Sequence, residues 1–144
     1  MNNYTPKRVI NGTFGEMWLD SEYCAEVTGL QAKISIEKQD VNQCGAFFKG
    51  SKVTGASGSG TIKANKVTSF FSKLVLDCIR TRKFPEYTII SNLADPDAYG
   101  AERVKLTGVT LDEATIADWE ANKLGEQSIP FTFNNAEFLD FINA

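Results

Sequence analysis

The sequence predicts a mainly β fold, a β-sandwich or barrel-like subunit with one flanking α-helix and a long arm loop. Three observations predict it. Apolar and polar side chains alternate through the first third of the 144 residues, the alternation yields once to a helical period near residue 70, and it then resumes. A chain of this length has the size of one domain, residues 1–144, which hides about 68% of its unfolded surface and can build a real core.

Thr13 to Leu19 and Tyr23 to Thr28 read as two strands joined at Asp20-Ser21-Glu22, with Met17 and Leu19 matched in pattern to Tyr23, Ala25 and Val27. From Leu30 to Lys38 the alternation is cleanest. Leu30, Ala32, Ile34 and Ile36 share one face, expected to meet the core, and Gln31, Lys33, Ser35 and Glu37 share the other. Between Gln39 and Gly60 the period vanishes into glycine, serine and lysine, a stretch too long for an ordinary hairpin loop and expected to be an arm. Val67, Phe70, Phe71, Leu74, Val75, Cys78 and Ile79 then recur at helical spacing, predicting a helix over 67–83. Thr68 or Ser69 can cap its start. Arg80, Arg82 and Lys83 suit the negative end of its dipole, and Pro85 forbids continuation. Strands follow at Glu86 to Leu93, Arg103 to Leu111 and Gln127 to Asn134, the first two separated by a turn at Asp95-Pro96-Asp97. The apolar parity shifts across Gly108, which predicts a bulge, and Pro130 marks the last strand as an edge or a start.

Composition excludes several function classes. Fifteen basic against eighteen acidic residues give a net charge of -3, opposite to the basic footprint of DNA binders. The chain holds no histidine, and with it go the commonest general base and the commonest metal ligand. Cys24, Cys44 and Cys78 are odd in number and widely spaced, as free thiols are. No apolar run approaches the roughly 18 residues of a membrane span, so membrane insertion is not expected. Nor does MNNYTPKRVI carry an apolar h-region behind Lys7-Arg8.

Motifs with chemical meaning mostly dissolve on inspection. Gly45-Ala-Phe-Phe-Lys-Gly50-Ser51-Lys52 has P-loop glycines, but its lysine stands on the wrong side of the serine. In Gly55 to Gly60 no serine has glycine at both -2 and +2, as a nucleophile elbow demands. Asp95 and Asp97 lack the rest of a calcium loop, and Asn11-Gly12-Thr13 is a sequon without a secretion signal. No catalytic residue, cofactor or metal is expected. Phe47 and Phe48 are different: two adjacent aromatics in a polar stretch form either a local satellite core or an anchor against another chain.

A resemblance gathers these observations. The blocks NGTFGEMWLDSEYCAEVTGLQAKISIEKQDVNQCG (11–45), KGSKVTGASGSGTIK (49–63), LADPDAYGAERVKLTGV (93–109), DEATIADWEANKLGEQSIPFTF (112–133) and EFLDFI (137–142) together resemble the tail tube proteins of contractile phage tails, in particular those of PBSX-like prophages and R-type tail-like bacteriocins. The chain departs from that group mainly at Ala46-Phe47-Phe48 and at the serine-rich stretch from Ala56 to Ser59.

The resemblance implies a structural, non-enzymatic subunit that self-assembles into hexameric rings whose inner strands close a 24-stranded barrel. Rings would stack into a tube within a contractile sheath. Its partners would be the sheath, tape measure and baseplate proteins, with genomic DNA passing through the lumen unbound, and its place the virion tail after assembly in the host bacterial cytoplasm. The arm, 39–60, would reach a neighbouring subunit through Cys44, Gly45, Phe47, Phe48, Lys49, Gly50 and Lys52, while Gln31, Lys33, Ser35 and Glu37 would face the lumen. A slightly acidic subunit would help DNA pass without sticking. Two alternatives stand beside this: the tube of a type VI or extracellular contractile injection system, and a small-ligand-binding β-barrel lined by Trp18, Trp119 and the phenylalanines.

Overall fold

A computed structural model describes residues 3–143 as eight strands and one α-helix. The strands are β1 (Gly15–Leu19), β2 (Glu22–Tyr23), β3 (Val27–Val41), β4 (Gly50–Asn65), β5 (Tyr87–Leu93), β6 (Glu102–Leu111), β7 (Glu126–Phe133) and β8 (Asn135–Asp140); the helix α1 is Phe70–Thr81. All pairings are antiparallel, in the order β2-β1-β5-β6-β7-β4-β3, with β8 added to β6.

β6 is where one layer becomes two. Its first part pairs with β5 and β8, whereas Thr110 and Leu111 pair with Thr132 and Phe131 of β7. Between them the register slips and Gly108 takes φ +65, the bulge predicted from parity. Strands that change sheets at a bulge make the corners of sandwiches. Here the two layers close on Met17, Leu19, Ile89, Leu106 and Val109 from one side and Ile62, Ile129, Phe131 and Phe133 from the other.

The Asp20-Ser21 turn has φ 48 and 70, the left-handed pair that matches hairpin twist. Asp20 Oδ1 also accepts from the Thr88 amide at 2.8 Å, tying the turn to β5. The second strand of this hairpin is shorter than expected: β2 ends at Tyr23, and the residues up to Val27 form a turn before β3 begins. At the other turn Asp95 accepts from Asp97 N at 2.9 Å and Asn11 N at 2.8 Å, so one buried carboxylate fixes both its own loop and the N-terminal segment.

α1 is shorter than the predicted 67–83. It starts after Ser69, where Thr68 Oγ1 accepts from Phe70 N at 3.4 Å, and stops at Arg82 with φ 56. Phe71 is fully buried, Phe70 and Leu74 pack on the core, and Ile79 is exposed, a correction to the expected apolar stripe. Ser72 Oγ donates to Thr115 O at 2.7 Å, pinning the loop 112–125 to the helix.

Two further corrections concern the chain on either side of the core. Most of the stretch 39–60 is not a loop: β3 runs on to Val41 and β4 already starts at Gly50, so only residues 42–49 connect them. β8 follows the last expected strand as one more, and only its Ala136 packs on the core.

Candidate functional site

β3 and β4, 15 and 16 residues long, form a two-stranded ribbon of which only the proximal part lies on the body. At about 3.3 Å per residue the ribbon spans about 45 Å. Leu30 and Ile62, a cross-strand pair, pack on the core. Beyond them every residue from Gln31 to Val41 is exposed. Ile34 and Ile36, expected against the core, are 59% and 60% exposed, because the sandwich ends before they do. The bulge opposite Glu37/Lys38 adds Thr54 to β4 and turns Val53 to the side of Ile34 and Ile36, so that the free ribbon carries an apolar column.

The opposite face is mostly polar. Gln31, Lys33, Ser35 and Glu37 stand in one column paired with Thr61, Ser59, Ser57 and Gly55, and the row continues through Thr132 to Thr110, whose hydroxyls lie 2.9 Å apart. The structure therefore gathers the four lumen candidates on one surface. Its charges are mixed, Glu37 toward the tip against Lys33 and Lys63 nearer the body, so the chain's acidity does not reside there.

At the ribbon tip lie five of the arm candidates, Cys44, Gly45, Phe47, Phe48 and Lys49, while Gly50 and Lys52 belong to β4. Gly45 takes φ +81, a conformation glycine adopts without penalty. Lys49 pairs with Asp40 at 3.6 Å, an exposed contact of little energetic weight. Phe47 and Phe48 are fully exposed, which excludes a satellite core within the chain.

The ligand-barrel alternative fails on the same geometry. Trp18 stacks against Tyr23 with centroids 5.4 Å apart, Trp119 projects from the exposed loop 112–125, and the buried phenylalanines fill the space between the sheets. Among the described residues there is no group of three or more Cys, Asp or Glu that could hold a metal, and no helix is long and apolar enough to cross a membrane. Two ionisable groups are displaced. Burial pushes the Cys24 thiol up, aided by Glu26, and burial together with the Cys78 thiol, 3.7 Å from its hydroxyl, pushes Tyr87 up to about 12.

The ribbon thus presents a mostly polar face, an unpartnered apolar face and an aromatic tip. The sequence profile of the phage tail tube proteins (DUF2001) matches residues 2–140. The chain belongs to this family. It is 35% identical over 131 residues to the phage-like element PBSX protein XkdM of Bacillus subtilis (strain 168), covering 90% of this chain and 89% of that protein. Among solved structures, the fold is similar to the sheath/tube terminator of an extracellular contractile injection system (PVC) in its extended state, with TM-score 0.72, 12% identity and coverage of 97% of this chain and 100% of that one. It is also similar to a chain in the tail of an empty gene transfer agent particle refined with C6 symmetry, with TM-score 0.61, 13% identity and coverage of 90% and 98%. As a tail tube protein the chain is a structural subunit, and its mainly β fold with one helix is that of its structural neighbours.

Proposed function

We propose that this tail tube protein closes with five further copies into a ring, that rings stack into the inner tube of a contractile tail, and that the lumen carries DNA without binding it or catalysing any reaction. The observation that carries the reading is the unsatisfied ribbon. β3 pairs on one edge only, and β7 meets β6 at just two residue pairs, so each subunit offers two strand edges that a ring would satisfy. Four strands, β3, β4, β7 and the end of β6, would supply one sixth of a 24-stranded wall. Gln31, Lys33, Ser35 and Glu37 would face the lumen and the ribbon's apolar column would lie against a neighbouring subunit. The C6 symmetry of the gene transfer agent tail and the sheath/tube terminator among the structural neighbours support the six-fold ring and a surrounding sheath. Tape measure and baseplate proteins would meet the tube at its bore and end. Residues 1–144 serve as one domain in this scheme, the reach of 39–60 forms the inter-subunit arm, and the finished subunit resides in the tail of a virion-like particle.

Negative-stain microscopy of the concentrated chain tests the proposal. Six-fold annular particles and tubes are expected, and a chain that stays monomeric at every concentration overturns it. Phe47→Ser with Phe48→Ser should leave the monomer folded and remove tubes.

A further inference from the structure

At the end of the ribbon opposite its tip lies a cavity of about 730 Å³, bordered by Thr28, Lys63, Trp119, Leu124 and Gln127. We propose that this cavity receives the Phe47–Phe48 tip of a second copy, so that each subunit carries at one end of its ribbon the plug for the socket at the other. The inference rests on the tube reading above and adds to it the receiving site.

Position supports it first. Thr28 and Lys63 lie near one end of β3 and β4, and residues 42–49 join the other, so with about 45 Å between them tip and cavity cannot meet within one chain. Two copies displaced along the ribbon bring them together. A contact between two different patches is heterologous and propagates, as a filament requires.

Chemistry supports it next. The volume falls within the roughly 300–1,000 Å³ of cavities that enclose compact organic groups, space for two phenyl rings. Trp119 and Leu124 stand almost fully exposed at its border on the irregular loop 112–125, as Phe47 and Phe48 stand at the tip; each apolar pair lacks a cover that the other could supply. Charge is complementary as well: Glu113, Asp118, Glu120 and Glu126 outnumber Lys63, Lys66 and Lys123 around the cavity, whereas Lys49 is the single charge of the tip loop 42–49.

Disulfide trapping tests the contact in tubes. One chain keeps its native Cys44 at the tip; the other carries Cys44→Ser together with Leu124→Cys, or with Lys123→Cys as a second exposed position. The two are mixed, assembled, oxidised and run on a non-reducing gel. A cross-linked dimer at least tenfold above that from a partner bearing Cys44→Ser alone is expected at one or both positions. Tubes visible by microscopy without that dimer at either position overturn the socket while leaving the tube reading intact. So does an equal dimer through Tyr23→Cys, in the groove beside α1. If the unaltered chain forms no tubes, the tube reading fails and the socket with it.

Discussion

The ring of Phe131 occupies the space that a side chain on its cross-strand partner Gly60 would need: a β-carbon there would stand 2.5 Å from Phe131 Cζ. It would also crowd the backbone carbonyl of Gln31 on the other flank. Glycine in mid-strand normally weakens a sheet; here the vacancy is filled from the neighbouring strand, and Phe133 does the same over Gly58.

Gly60→Ala should therefore destabilise the monomer by about 1–3 kcal/mol, the usual cost of overpacking. Gly100→Ala, where nothing lies within 4 Å, should stay within about 0.5 kcal/mol. Urea unfolding of the two variants checks the difference, and equal midpoints would refute it.

The helix offers a second contrast. Phe71 is fully buried and Ile79 exposed on the same helix. Phe71→Ala should cost about 3–5 kcal/mol, whereas Ile79→Glu should leave the unfolding midpoint almost unchanged. A large loss at Ile79 would mean that the helix is rotated from the orientation described.

Accessibility separates the two ribbon faces. With Ser35→Cys, small maleimides should label monomer and tube alike, while a bulky polyethylene-glycol maleimide should label only the monomer. Equal bulky labelling before and after assembly would remove Ser35 from the lumen.

Alkaline titration addresses Tyr87. Burial and the Cys78 thiol push its pKa up to about 12, above the ordinary phenol value of 10.0. The native state thus binds the proton more tightly than the unfolded chain does, so this contribution to stability is complete below about pH 10 and is lost as pH rises toward 12. Tyr87→Phe should flatten the decline in melting temperature over that window. An unchanged slope would show that the phenol does not carry it.

How legible the molecule was depended on where order came from. Leu30 to Lys38, the helix around Phe71, the Gly108 bulge and the Asp95 turn each announce themselves through local pattern, and each is present. The part of β4 before Gly58 did not, because Gly50 and Gly55 have low strand propensity of their own. Its conformation comes from the β3 ladder beside it. Ile34 and Ile36 were readable as one face but not as an exposed one, since alternation reports only that a face is apolar and a second chain can cover it as well as a core can. Cavity residues such as Trp119, Leu124 and Gln127 come together from an irregular loop and a strand, a juxtaposition that no spacing encodes.

The corner at Gly108 bears on mechanics. Among the described strands β6 alone is hydrogen-bonded to both layers, through β5 and β8 as far as Val109 and through β7 from Thr110. Force applied to the layer holding the ribbon thus reaches the other layer along covalent backbone from Thr107 to Thr110, not only through side chains free to slide. In a stacked tube such a load path would make the inner wall and the outer surface strain together. A push delivered from outside, as by a shortening sheath, would then drive each ring as one stiff body.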